Sequence, residues 1–407
     1  MEHEVEYKKA DELFEINLFL ESKNVPYESK NVPYESMNVL KKSEYVKFKA
    51  DKVIFLNVDF DLLSFNNNNN LFINGKMTSL ENIASKSLGE KLNLCFDTCK
   101  FSKINAKNIT WNGSIDIKSS LIGEVNIESS FFKDRFYVNP HHSEKTETCK
   151  IKSFRVNNTN FEHNFKLHNC EVGLIDINNT NFKKNVNFFK SKFLQDNKDI
   201  IFKLINFEGF ALFGECEFNS KLIFEHVTFK GLSHFREAEF SKGLDLDKTN
   251  IENEMIFYPT KGLEKTEYIS QETYRIIKYN CQKIGNQIEA NKYHSNELKK
   301  RREFLNENPL SNKLDWVVFN INWHTSRFST DWLLTTFWIF IVGFSTWVFV
   351  CFSCQRPVVF IDIFKYMSIV DLDECIKKNP LVFLANKTTL GFLYYQLVTA
   401  IRKDTRK

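Results

Sequence analysis

Large apolar residues recur along this 407-residue chain at steps of five and six. From Phe207 the series runs Phe213, Phe218, Phe224, Phe229, Phe235, Phe240, Leu246, Ile251 and Phe257, a period of eleven over each pair of steps. A helix repeats at three and four, and a strand repeats at two. A step of five fits neither. It arises when the chain turns a square corner and each side of the square is one five-residue unit. Two places before several of these residues stands a smaller one: Ala211, Cys216, Val227, Ser233, Ala238 and Thr249. The same step links Ile117, Ile122, Ile127 and Phe132, and before them Phe96, Phe101, Ala106 and Trp111, and earlier Phe55, Phe60 and Phe65. Asn157–Phe161 reads Asn-Asn-Thr-Asn-Phe and recurs at Asn178–Phe182, 21 residues on, which is one four-sided coil and one residue more. A β-sandwich with Phe-rich strands has no reason to keep such a step.

One coil cannot bury its own apolar side chains, but stacked coils share a continuous core. A buried Phe contributes roughly 2–3 kcal/mol, and about thirty such positions offset the ordering of about 200 residues. The composition agrees. The chain has 41 Phe but only 13 Gly and 7 Pro. That much Phe excludes disorder as the main state. So little Gly and Pro excludes a collagen-like chain and argues against an α/β catalytic domain with Gly-rich loops.

The pattern resembles the pentapeptide-repeat family, whose units read small residue, any, Leu or Phe, polar, any. Matching triplets are Val58-Asp59-Phe60, Cys99-Lys100-Phe101, Thr159-Asn160-Phe161, Thr180-Asn181-Phe182, Ser191-Lys192-Phe193, Cys216-Glu217-Phe218 and Ala238-Glu239-Phe240. The resemblance covers about half the chain and implies a right-handed quadrilateral β-solenoid of about nine or ten coils. The central Phe is matched throughout, while the small residue is often Cys, Thr, Asn or Ile where Ala is usual. The six-residue steps imply a bulge or widened corner in alternate units.

The solenoid is expected over residues 46–260. Three stretches interrupt it: Asn66–Leu92, Lys133–Ser153 and Leu194–Asp199. Loops that leave a solenoid are its natural recognition elements. His141-His142 lies in the second, without the spaced third ligand a metal site needs. His163 and His168 read as solvated positions on the coil surface. Residues 1–45 read as a variable segment with a short helix over Val5–Leu20 and a tandem heptapeptide, Ser22–Glu28 repeated at Ser29–Glu35. The charged N-terminus has no signal-peptide h-region. The nine Cys are an odd number at irregular spacing, so no disulfide framework is expected and the cytosol is the expected compartment for most of the chain.

Residues 261–312 change to a helical period, with Tyr274, Ile277, Cys281, Ile284 and Ile288 on one stripe. Ser270 is the expected N-cap and Pro309 the stop, and the helix is expected to cap the solenoid's open end. Residues 313–407 read as a membrane anchor. Leu333–Cys354 carries no charge over 22 residues, and about 20 residues span roughly 30 Å of hydrocarbon. Five of the six Trp, namely Trp316, Trp323, Trp332, Trp338 and Trp347, fall in or just before it, as residues of the membrane interface do. Leu381–Ile401 reads as a second span, with Lys387 near its start and able to snorkel. Basic residues flank both outer ends, Lys299–Arg302 and Arg402–Lys407. The positive-inside rule then gives a helical hairpin with both termini cytoplasmic and an outer loop of Gln355–Pro380. Within that loop Val358–Val370 either lies on the outer interface or dips back. Asp315–Phe328 is expected along the inner surface. Cys351 and Cys354 form a C-x-x-C pair best explained as two small apolar residues at a helix end.

Glu272–Lys278 and Gly285–Lys292 are similar to the linker helix of bacterial membrane-anchored pentapeptide-repeat proteins, and Leu393–Arg406 is similar to their closing segment. The resemblance implies an inner-membrane location, and some such relatives are described as potassium-channel-like. Thr388–Phe392 faintly resembles a potassium filter, but only 15 residues follow Phe392, too few for a further span.

No phosphate loop, G-x-S-x-G, H-E-x-x-H or paired C-x-x-C motif occurs. Glu215, Glu217, Glu237 and Glu239 read as solvent-facing positions beside the Phe stack. No catalytic, cofactor-binding or metal-binding residue is therefore expected, no cofactor, and no enzyme. The net charge of +4 and about 28 basic against about 27 acidic side chains over residues 46–258 exclude a duplex-mimicking or nucleic-acid-binding surface. The expected function is a membrane-tethered scaffold or interaction module with a cytoplasmic solenoid. Its partners are the lipid bilayer and an unidentified cytoplasmic protein, with a homo-oligomer left open. The alternative is a subunit of an ion-channel-like membrane protein.

Overall fold

The step of five becomes a corner in the computed structural model, which describes residues 7–9, 45–49, 52–56, 59–66, 70–73, 76–79, 91, 93–139, 148–264, 266–307, 309, 312–354, 359–370 and 379–405. In alternate corners a residue takes the left-handed conformation three places before the inward residue: Thr98 before Phe101, Asn158 before Phe161, Glu215 before Phe218. Asn108, Ser119, Ser129, Asn169, Asn179, Lys190, Leu204, His226 and Glu237 do the same, with φ between 43° and 61° across the set. That conformation costs an L-residue about 1–2 kcal/mol, least for Asn, which recurs at these corners. The wider six-residue corners need no such residue but bring stacked backbones close. A side chain on Gly231 would collide with the carbonyl of Gly209.

The chain forms two compact units, Met1–Ile269 and Ser270–Lys407. The first is a mainly parallel β-solenoid. One sheet stacks Lys52–Leu56, Asn93–Asp97, Ile115–Lys118, Phe136–Val138 and their successors in parallel up to Met255–Ile256. The solenoid has about seven turns, fewer than nine or ten. The reason is where residues go. Asn70–Ile73 and Lys76–Ser79 add antiparallel strands beside Leu63–Asn66 and complete no turn. Insertions also lengthen single turns: stacked neighbours are 21 residues apart at Asn93 and Ser114, 29 at Ser120 and Cys149, and 25 at Asn185 and Phe210.

Inside, the Phe rings stack as the strands stack. Phe132, Phe161, Phe182, Phe207 and Phe229 form one column, with successive centroids 5.1, 5.1, 5.4 and 5.0 Å apart. Phe188, Phe213, Phe235 and Phe257 form another at 4.9, 4.8 and 5.4 Å. All are buried, and rings of different columns meet edge-on, as at Phe224 and Phe229.

Within Val5–Leu20, expected as a helix, Tyr7–Lys9 instead form a strand antiparallel to Tyr45–Lys49, which pairs antiparallel with Lys52–Leu56. The open edge of the first coil offers unpaired donors and acceptors that a strand can satisfy. The tandem heptapeptide lies outside the described residues.

The second unit is helical: α1 (Gln271–Lys283), α2 (Gln287–Glu307), α3 (Lys313–Ser326), α4 (Trp332–Cys354), α5 (Ile363–Met367) and α6 (Pro380–Thr405). Ser270 caps α1, its hydroxyl accepting from Thr273 N–H at 3.0 Å. The helical stripe expected to run on through Ile288 is broken. Gly285 turns at φ +78°, Asn286 caps α2 by accepting from Glu289 N–H, and Ile288 is exposed. Thus α1 and α2 fold as a hairpin, with Tyr274 stacked on Tyr293.

Between α3 and α4 the chain turns through three consecutive left-handed residues, Arg327, Phe328 and Ser329. Asp331 then caps α4, accepting from Leu334 N–H at 2.9 Å. Only α4, over Trp332–Ser353, is long and apolar enough to cross a membrane among the described residues. Asn386, Lys387, Thr388, Thr389 and Gln396 lower the hydropathy of α6. Short α5 lies between α4 and α6. Tyr366 packs with Trp347 and Val350, and Met367 packs with Ile339, Leu390 and Leu393. The Lys387 ammonium donates to the carbonyl of Ser368 at 2.7 Å.

Candidate interaction surface

The outside of the solenoid is a set of ladders. Lys107 meets Glu128 at 2.9 Å, Lys183 meets Glu162 at 2.6 Å, Lys192 meets Glu217 at 2.8 Å, and Lys203 and Lys248 meet Glu225 at 3.1 and 3.3 Å. Each pair joins neighbouring turns. The bonds to Glu162 and Glu217 raise the Lys183 and Lys192 ammonium groups, and those from Lys203 and Lys248 lower the Glu225 carboxyl. An Asn ladder runs beside them: Asn179 Nδ2 donates to Asn158 Oδ1 at 3.1 Å, and Asn158 Nδ2 to Ser129 Oγ at 3.1 Å. Each of these ion pairs sets opposite signs on neighbouring turns.

The corner residues that sequence reading treated as merely small have a second task. Cys99 N–H donates to Ser120 Oγ at 3.0 Å, Cys170 N–H to Ser191 Oγ at 3.1 Å, and Ser191 Oγ to the Leu167 carbonyl at 2.6 Å. Thr159 and Thr180 hydroxyls donate to the carbonyls of Asn157 and Asn178, both at 2.9 Å. These side chains satisfy backbone groups that the corner takes out of the strand ladder. Burial pushes the Cys216 thiol well up, so it is an inert packing group.

Of the three interruptions, Leu194–Asp199 builds a groove. Gln195 holds it closed, donating to the carbonyls of Lys198 and Asp199 at 3.0 and 2.7 Å and accepting from Ile175 N–H at 3.4 Å. Lys242 donates to the Asp196 carbonyl at 2.8 Å. The cavity is about 760 Å³, lined among others by Leu174 and Ile201 and by Arg155, Asp176, Lys198 and Lys242. Leu174, Ile175 and Ile201 stand there among charges of both signs. It contains no nucleophile paired with a base. The break in the repeat marks this loop in the sequence; which residues floor the groove depends on stacking across several turns.

Glu215, Glu217, Glu237 and Glu239 are not scattered. They gather with Pro259, Thr260 and Lys261 around a depression of about 300 Å³. Lys190, Lys192 and Lys261 pair with Glu215, Glu217 and Glu239 at 3.6, 2.8 and 3.7 Å, so three of the four carboxylates are engaged structurally. His163 is exposed. His168 is buried and stacks on Phe189 at 5.9 Å, because its coil position faces a neighbouring ring and not water. His141-His142 lies outside the described residues. Cys351 is a free thiol, and the Cys354 side chain is also outside them. Among the described residues no group of His, Cys, Asp and Glu could hold a metal.

Residues 202–250 match the family model described as pentapeptide repeats (9 copies). No curated protein and no solved structure matches the chain. The matched stretch lies within the solenoid, and the match together with the stacked turns supports a pentapeptide-repeat protein.

Proposed function

We propose that the chain is a membrane-tethered scaffold whose solenoid presents a cytoplasmic binding surface. The observation that carries the tether is the distribution of side chains on α4 and α6. Leu333, Phe337, Phe340 and Phe344 of α4 and Leu381, Leu384, Tyr395 and Val398 of α6 are exposed, while Thr335, Thr346, Asn386 and Gln396 are buried. A soluble helical unit does the opposite. The buried groups bond to one another: Asn386 Nδ2 donates to Thr346 Oγ1 at 2.8 Å, and Gln396 Nε2 to Asn322 Oδ1 at 2.8 Å, while Gln396 Oε1 accepts from Ser326 at 3.1 Å and from Ser329. Hydrocarbon on the outside and bonded polar groups within suit two spans, with α4 and α6 as a hairpin in the inner membrane of a bacterium and both termini cytoplasmic. On the solenoid, the Leu194–Asp199 groove is the surface for a protein partner, and no catalysis is performed.

Expressed without residues 314–407, the chain is expected in the soluble fraction with a β-rich circular dichroism spectrum. Recovery in the membrane fraction would overturn the tether. A cytoplasmic pull-down should lose its partner when Leu174 and Ile201 are both changed to Asp.

One observation favours a second reading, a channel-like subunit: α5 folds back between α4 and α6, with Met367 against Gly343 near the middle of α4. Single-channel current from reconstituted bilayers would establish it, and silent bilayers would dismiss it.

A further inference from the structure

Helix α3 carries two different faces on roughly opposite sides. Leu314, Val317, Val318 and Ile321 fall at i, i+3, i+4 and i+7, and all four are exposed, Leu314 to 81%. Another face, formed by Trp316, Asn320 and Trp323, packs on α2. Trp316 Nε1 donates to Asn306 Oδ1 at 2.9 Å, and Asn320 accepts from Arg302 Nε at 2.8 Å. The Arg302 guanidinium lies 5.2 Å from the centroid of the Trp323 ring and the Lys299 ammonium 5.9 Å.

The cations on this edge differ from those of the solenoid. Lys192 and Lys203 each hold a carboxylate of the next turn. Among the described residues no carboxylate stands within ion-pair distance of Arg301, Arg302 or Lys313; Glu303 is taken by Lys300 at 2.9 Å. Arg302 bonds to Asn320 and His324, and Arg301 lies over the Phe304 ring. An exposed apolar stripe on one side of α3, with a cationic edge on the other, is the layout of a helix lying in a headgroup layer.

We propose that α3 and the adjoining edge of α2 form a site for anionic phospholipids. Arg301, Arg302 and Lys313 meet the headgroup charge, and Leu314, Val317, Val318 and Ile321 enter the acyl layer. A zwitterionic headgroup would leave the surplus positive charge uncompensated, whereas an anionic leaflet attracts each basic residue held near its surface. The inference rests on the membrane-tether reading and adds a lipid class to it.

The test uses the full chain in vesicles of phosphatidylcholine with and without phosphatidylglycerol. Spin-labelled lipids of each headgroup report the motionally restricted fraction around the protein. The wild type is expected to prefer the phosphatidylglycerol probe, and added salt should weaken that preference. Arg301→Gln with Lys313→Gln should reduce it by about five-fold or more while leaving the Arg302 bond to Asn320 in place; adding Arg302→Gln should remove the rest. Equal restriction of both probes by the wild type, or an unchanged preference in the variants, would overturn the proposal. Flotation of the same samples separates the two failures. A chain that floats with both vesicles and shows no preference sinks the lipid site alone; a chain that floats with neither sinks the tether and this site with it.

Discussion

In the solenoid Phe182, Phe213 and Phe235 are hidden and Lys192, Lys203 and Glu217 face outward, whereas in the helical unit Phe337, Phe344 and Phe352 face outward and Thr346, Asn386 and Gln396 are hidden. The solenoid and the α4–α6 pair thus differ in what they leave outside, ion pairs on one and large apolar side chains on the other. The difference shows what each backbone demands. A β-coil needs the coils above and below it for its hydrogen bonds, so its core forms wherever coils stack, and the outside is left to ion pairs. A helix satisfies its own backbone, so its outward face is free to suit water or, under the proposed reading, hydrocarbon.

The largest expected effect tests that contrast directly. Phe213 stacks between Phe188 and Phe235, so Phe213→Ala should cost the solenoid about 3–5 kcal/mol in urea unfolding followed by circular dichroism. Phe337→Ala, on the outward face of α4, should shift detergent-phase unfolding by no more than about 0.5 kcal/mol. Equal costs would break the comparison.

A smaller effect is expected at the hidden polar groups. Gln396→Leu removes the acceptor of the Ser329 hydroxyl and the donor to Asn322 Oδ1 and should destabilise the helical unit by about 0.6–1.7 kcal/mol in micelles. A stabilised variant would mean that the seam is not bonded as described.

The α1–α2 hairpin sharpens the comparison through pH. Burial alone would raise the Glu297 carboxyl, but hydrogen bonds from Lys278, Arg275 and His294 outweigh it and hold it below the ordinary 4.5. A depressed carboxyl stabilises the fold above its unfolded value and loses that contribution as pH falls through the folded one. His294, lowered chiefly by burial from 6.5, acts in the same direction, since protonation favours the unfolded chain. Thermal stability should therefore fall from about pH 6.5 downward, and further below pH 4.5. Glu297→Gln should flatten the lower part of that profile.

The smallest effect belongs to the ladders. A Lys192/Glu217 double-mutant cycle should return about 0.2–1 kcal/mol, vanishing in 1 M salt, where the Debye length is about 3 Å. A larger coupling would make the exposed ladders part of what holds the turns together.

Much of the solenoid could be read in the chain because its core repeats one local decision. Each Phe at step five needs only the neighbouring turn to be buried, and the register Asn157↔Asn178 through Phe161↔Phe182 is visible as a repeated phrase. The scarcity of Gly has a structural answer that counting does not supply: Asn, Ser and other residues take the left-handed corners. The break at Gly285 was less legible, since Ile284 and Ile288 continue the apolar spacing while a single glycine ends the helix. The groove was legible only as an interruption. Leu174 and Ile201 meet there because coils of unequal length are stacked, and no local pattern encodes that meeting.

By itself, then, the sequence determined the repeating coil, the charge-free helix over Leu333–Cys354 and the lack of a catalytic motif, because each rests on periodicity or composition over a short window. Only the tertiary structure decided the number of turns, the gathering of Glu215, Glu217, Glu237 and Glu239, the burial of His168 and the return of α5 between α4 and α6. Those features depend on contacts between residues tens of positions apart, where insertions add up and a side chain's surroundings are set by the turn or helix beside it.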